Sequence, residues 1–326
     1  MRLKGLGLAD TAIEAVWPSW WSAEADSSTS ARTELRFGVA RRLGLDPSSL
    51  FGDEAPRFLW TAEARFKHLS TEGNLERAGI TSFGRAVAAA LIGALPPSAA
   101  DLSGASAHDL RQSIIDSGRP YVGLADLLAL CWGIGIPVAH LRVFPWPQKR
   151  MAAMTVGLED RWSILLGKDA GYPAWISFYL AHELGHIALS HVGAGGALVD
   201  LDFEDPGSPG DEEEDAADAF ALELLTGQTQ PTVLLADPAV RATASELARI
   251  AVGVAAALQI EPGTLALCFG YSTQDWKTAN GSLKVIYTET PVWQEVNRVA
   301  MTQLHLGELS TEAVEFLATV LGQPIA

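Results

Sequence analysis

Three of the chain's seven histidines fall within ten residues, in the stretch SFYLAHELGHIALSHV that runs from Ser177 to Val192. His182 and His186 are spaced by four, with Glu183 directly after the first, which makes an HExxH pattern. On an α-helix, positions i and i+4 share a face, so both imidazoles can hold one metal ion. Glu183 falls about 100° further round the helix, where its carboxylate can meet a water without replacing a ligand. Metal-assisted hydrolysis needs this division: neutral nitrogen donors for the ion and a neighbouring base for the water's proton. Ile176, Phe178, Leu180, Ile187 and Leu189 make the helix apolar elsewhere. Burying two histidines and a glutamate in such a helix is costly unless a metal partners them.

A catalytic zinc site takes a third protein ligand and keeps one open position. A third histidine in the HExxHxxGxxH register would require glycine at 189 and histidine at 192, where the chain has Leu189 and Val192. His191 is one residue out of register and reads better as a helix-end histidine or one lying behind the ligands. The other source is an acid on a following helix. Glu214 and Asp218 stand at i and i+4, so Glu214 can reach the metal while Asp218 orients a ligating imidazole through its free N–H. Phe220, Leu224 and Leu225 anchor that helix. Glu212, Glu213 and Asp215 read as its solvated start, since acids suit helix N-termini.

The elements that must position these groups follow from periodicity and punctuation. Pro173 opens the metal helix and the glycines of VGAGG (192–196) are expected to close it. Two strand-like runs precede it, MAAMTVGL and RWSILLG, separated by the turn-like Glu159-Asp160. An extended piece, PVAHLRVF, and a helix in YVGLADLLALCWGIGIP come before those. The stretch from Asp200 to Asp211 is acidic and turn-rich and reads as a loop. Glu212 to Leu225 is helical, SELARIAVGVAAALQIEPGTLAL reads as a helix pair joined by a Pro-Gly turn, and PVWQEVNRVAMTQL and a segment from Thr311 supply two more helices. The fold class is α+β and mainly helical. The expected division is a helical N-terminal region (1–95), a linker (96–109), a core with a small sheet (110–270) and a helical C-terminal tail (271–326).

Length and composition bound the rest. The 326 residues, 48% apolar and 19% charged without low-complexity tracts, exclude a disordered or fibrous chain. Two cysteines, Cys131 and Cys268, exclude a disulfide scaffold and read as buried, reduced thiols. No secretory pattern opens MRLKGLGLADTAIEAVW and no apolar run reaches spanning length, so a soluble cytoplasmic protein without membrane partners is expected. The formal charge of −16 argues against a protein that coats nucleic acid. That charge is local: between Asp169 and Val240 there are fourteen acids and no lysine or arginine, which leaves −2 for the remainder.

SFYLAHELGHIALSHV followed by EDAADAFALELL resembles the ImmA/IrrE family of bacterial zinc metallopeptidases. In that family the active helix reads AHELGH, and a second motif reads Glu-x-x-Ala-(Asp/Asn)-x-Phe-Ala before a Leu-Leu pair. The resemblance covers about 110–270. It implies Zn2+ as cofactor, His182, His186 and Glu214 as ligands, Glu183 as catalytic base, Asp218 as the second acid, and a compact Glu-zincin fold. Two departures are present: Thr226-Gly227 stands where Met-Pro often follows the second motif, and the acidic insert before Glu214 is long. In such folds a substrate joins a sheet edge as an extra strand, and Arg161–Gly167 is the candidate edge. For an electrophile on the tetrahedral intermediate, Tyr179, Tyr271 and His305 are available.

The resemblance further implies a protein substrate: a helix-turn-helix repressor of a mobile element, phage or stress regulon, or the product of a toxin–antitoxin gene neighbour. An acidic mouth suits a basic, DNA-binding partner. A rival reading is a regulatory or antitoxin protein that uses the metal fold for binding. ARRLGLDPSSLF resembles the closing helices of a helix-turn-helix domain, but a recognition helix is not recognisable upstream. Nucleic-acid contact through Arg32, Arg36, Arg41 and Arg42 is therefore the lesser reading beside a solvated helix face. WPSWW (17–21) reads as core packing rather than a partner anchor.

Overall fold

The computed structural model describes residues 3–60, 64–67, 73–96, 102–147, 151–193, 195–201, 212–234 and 242–324. Residues 202–211, most of the stretch read as an acidic loop, lie outside them. After α1 (Asp10–Val16), Ser22 and Ser28 cap α2 (Ala23–Ser27) and α3 (Thr29–Leu43), each accepting from the amide three residues on. α3 ends at Gly44, whose φ of 65° is left-handed and where a Cβ would lie 2.5 Å from the Ser82 carbonyl oxygen. A short strand, β1 (Ala64–Lys67), precedes the long α4 (Asn74–Gly93). Then come α5 (Ala107–Asp116), α6 (Leu124–Gly133), β2 (Val138–His140), β3 (Met151–Leu158) and β4 (Arg161–Leu166). Pro173 starts α7 (Pro173–Ala188), followed by β5 (Ala197–Leu201) and α8 (Glu212–Thr226).

The C-terminal part is helical, as expected from its periodicity. Thr243 and Glu246 form a capping box on α9 (Ala244–Leu258), and Glu261 caps α10 (Pro262–Thr273). α11 (Trp276–Ile286), α12 (Val292–Gln303) and α13 (Thr311–Leu321) complete the chain. The architecture is α+β and about 59% helical.

The strands form one mixed sheet in the order β1-β5-β3-β4-β2. β3 and β4 make an antiparallel hairpin turned at Glu159, β5 runs antiparallel to β3, and the outer strands β1 and β2 run parallel to their neighbours. Both faces are covered. Thr155 on β3 points to α7, where it bonds Glu183, while the adjacent Met154 lies against Gly84 of α4. β4 is therefore not the edge expected from its sequence, because β3 and β2 flank it on either side. Beyond β2, Asn297 of α12 takes the place of a further strand: it accepts from His140 N–H and donates to His140 C=O.

Packing also runs across the regions that composition separates. One buried cluster extends from Leu3 to Leu321 and includes Phe83 and Val87 of α4, Met154 and Leu165 of the sheet, and Phe316 of α13. The described part of the expected linker is packed too: Leu102 and Ala107 are buried, and Gly104 N–H donates to Ala188 C=O at the end of α7. Among the arginines weighed for nucleic acid, Arg42 is buried and donates to Val16 C=O and Glu312, and Arg36 stacks over Phe51. Trp17, Trp20 and Trp21 pack against the core, with Trp20 donating to Glu312 of α13. Cys131 and Cys268 are free and buried. Among the described residues no helix is long and apolar enough to cross a membrane.

Candidate metal centre

α7 is held by its apolar side: Ile176, Leu180 and Leu184 are fully buried. It ends earlier than the glycines suggested, at Ala188, because Ser190 turns left-handed with φ 59°. α8 packs along it, and Gly185 of the motif permits the approach. A Cβ there would meet Ala217 O and the Phe220 side chain at 3.2 Å. Acids in the first turn of α8 suit its N-terminal partial charge. At the other end, the buried Arg111 of α5 donates to Leu224 and Leu225 carbonyls and to Gln259 C=O, which fixes the helix along its axis.

These two helices and β5 bring four side chains to one point. One donor atom each of His182, His186, Asp200 and Glu214 lie within 4.8 Å of one another. His182 Nε2 is 2.9 Å from His186 Nε2, 3.3 Å from Glu214 Oε2 and 3.3 Å from Asp200 Oδ2. His186 Nε2 is 3.5 Å from Glu214 Oε1. Behind His182, Nδ1 lies 2.8 Å from Asp218 Oδ1, so this N–H donates outward and Nε2 faces the cluster. Behind His186, Nδ1 meets His191 Nδ1 at 2.9 Å. His191 thus touches the ring of a candidate ligand from the rear. Thr155 Oγ1 donates to Glu183 Oε2, which fixes that carboxylate from the sheet side.

Asp200 opens a stretch whose composition reads as a loop, but the structure places it on β5. The available signal is alternation: in ALVDL, Ala197 and Val199 take one face of the strand, Leu198 and Asp200 the other. Leu198 pairs with Thr155 and Asp200 with Ala153, so Asp200 shares the face that looks onto α7. Tyr179 stands one turn before His182 on the same helix face, half-buried and edge-on to Phe178. Tyr271 is 68% exposed on α10, and His305 is exposed with its amide on Ala94 C=O; neither contributes a donor to the cluster.

The electrostatics mark a place for a cation. Glu183 is fully buried, and burial together with the neighbouring Asp200 charge pushes its pKa well above the usual carboxylate range. Burial would lower His182, but hydrogen bonds with Asp200, Asp218 and Glu214 outweigh it and hold its pKa well above the ordinary value. His186 is driven down to about 4 by burial and by the charge on His182. Asp200 Oδ1 and Glu183 Oε1 are buried and receive no hydrogen bond. No lysine or arginine occurs between Asp169 and Val240, and Arg65 of β1, the strand next to β5, is taken up by Glu213 and His191 C=O. Two nitrogens and two carboxylates around one point fit a divalent cation; this donor set suits several first-row metals and does not choose among them.

Comparison with family profiles, with characterised proteins and with solved structures returns no match. What the site does must be read from its own residues.

Proposed function

We propose that this chain is a zinc-dependent metallo-endopeptidase that cleaves a repressor-type regulatory protein. The observation that supports it is the convergence of His182, His186 and Glu214 on one point, with Glu183 on the same helix and Asp218 behind the first imidazole. These three side chains would hold the ion, which when bound supplies Lewis-acid polarisation of a carbonyl and activation of a water. Glu183 takes up the proton released in the attack and delivers it to the leaving amine. Thr155 keeps the carboxylate from rotating, and Asp218 keeps His182 in the tautomer that presents Nε2.

The substrate class is the one that the resemblance implies, and charge is compatible with it. Glu212 and Asp215 are exposed at the start of α8 beside Glu214, in a segment without bases, and a DNA-binding repressor is their electrostatic complement. The rival, a regulatory or antitoxin protein that binds without cleaving, is favoured by one feature: Asp200 brings a second carboxylate to the point where a peptidase keeps a position open. Glu183→Gln separates the two. The peptidase reading expects metal retained and cleavage of a small helix-turn-helix repressor, taken first from the neighbouring gene, reduced about 10²- to 10⁴-fold. Undiminished cleavage or unaltered regulation in this variant would sink it. So would a purified wild-type protein without stoichiometric metal.

A further inference from the structure

Asp200 reaches the cluster as closely as Glu214 does: each places a carboxylate oxygen 3.3 Å from His182 Nε2. It is as buried as His182, at 4% exposure for both residues. Its other oxygen receives no hydrogen bond. Charge repulsion should drive such a group away from Glu183 and Glu214, yet the backbone holds it in place. β5 is paired on both sides at this residue, with Ala153 of β3 and Lys67 of β1. The β3 pairing is also irregular here: one step from Leu201 to Asp200 on β5 corresponds to two from Met151 to Ala153 on β3. The extra residue, Ala152, turns its carbonyl to Gly167 and Lys168 N–H instead. Such bulges redirect the neighbouring side chains and recur beside functional sites.

We infer that Asp200 is a fourth protein ligand of the metal, so that the resting site is closed and a substrate carbonyl can enter only when Asp200 withdraws. This rests on the metal site proposed above and adds to it a protein group in the position that a catalytic site leaves open. A two-histidine, two-carboxylate set also carries the two negative charges that balance a divalent ion.

The test uses the full-length protein loaded with Co2+, whose visible absorption reports coordination. Wild type should show a four-coordinate spectrum that azide leaves unchanged, because no position is open to it. In Asp200→Ala, azide should shift the spectrum, and Zn2+ affinity measured by competition should fall roughly tenfold or more. Asp200→Asn, which keeps the shape of the side chain, serves if the alanine variant does not fold. A wild-type spectrum that responds fully to azide overturns the inference without any variant, as does unchanged Zn2+ affinity in Asp200→Ala. Both outcomes leave the metal site standing; a wild type that takes up no metal removes the site itself.

Discussion

Two buried sites with histidines, one at β2 and one between α7, α8 and β5, differ in how their polar groups are satisfied. At β2, His140 is fully buried, with ring nitrogens 2.8 Å from Lys168 O and 3.2 Å from Leu141 O. Asn297, also fully buried, binds His140 N–H and C=O and the Leu321 carbonyl, each at 2.7 Å. Between β5, α7 and α8, by contrast, the carboxylates of Glu183, Asp200 and Glu214 crowd around His182 and His186, and one oxygen each of Glu183 and Asp200 accepts no hydrogen bond. A satisfied buried cluster stabilises one packing of the chain. Buried carboxylate oxygens left without a donor are costly unless something is added, and that difference separates a structural histidine from a candidate ligand.

The largest effects should come from breaking each cluster and asking what is lost. His186→Ala removes a donor at the centre of the second cluster and should weaken metal binding more than a hundredfold. EDTA should then lower the melting temperature of wild type while leaving His186→Ala unmoved. At a metal concentration a hundred times Kd, the ligand-linked stabilisation at stake is about 2.7 kcal/mol. If the chelator shifts both proteins equally, the metal does not sit at His186. Asn297→Ala tests the opposite pole. It leaves two backbone carbonyls and an amide buried without their partner and should cost about 3 kcal/mol in denaturant unfolding, with metal affinity unchanged. A loss of metal affinity in that variant would show that the two clusters are coupled through the sheet.

Asp218→Asn lies between these extremes. The amide keeps the shape but removes the charge that holds His182 Nδ1–H, so metal affinity should fall about 10- to 100-fold with little change in apo-protein stability. Isothermal titration with Zn2+ against wild type reads this directly. An unchanged affinity would reduce Asp218 to a surface acid, which its half-buried position allows.

Much of the metal wall was legible because helices announce themselves locally. Pro173, the apolar stripe and the i, i+4 spacing are all written within sixteen consecutive residues, and the same holds for Glu214 to Leu225. Asp200 was not legible, because its placement depends on β5 pairing with a strand some forty residues earlier and on the bulge at Ala152. β1 was hidden for the same reason: four residues with no strong alternation become a strand only by adding to β5. The expected edge at β4 failed because β2, only three residues long, closes it in parallel from across a loop. Composition registers charge and turns, so it does not show that α4, within 1–95, packs with the sheet through the buried Phe83, Val87 and Leu91.

The smallest expected effect is also the most discriminating between packing and chemistry. Gly185→Ala adds a methyl group where Ala217 O and Phe220 already lie at 3.2 Å, closer than ordinary van der Waals contact. The neighbours must give by a few tenths of an ångström, which costs stability, while alanine in mid-helix returns up to about 1 kcal/mol relative to glycine. The two terms nearly cancel, so the melting temperature of the apo-protein should hardly change. The displacement falls on α8, however, and α8 carries Glu214 one turn from the contact. Metal affinity should therefore weaken several-fold while stability stays level, and the same substitution gives no such split at a site governed by packing alone. Unchanged affinity would mean that Glu214 adjusts freely to the ion, and that the close approach of α7 and α8 serves the core rather than the metal.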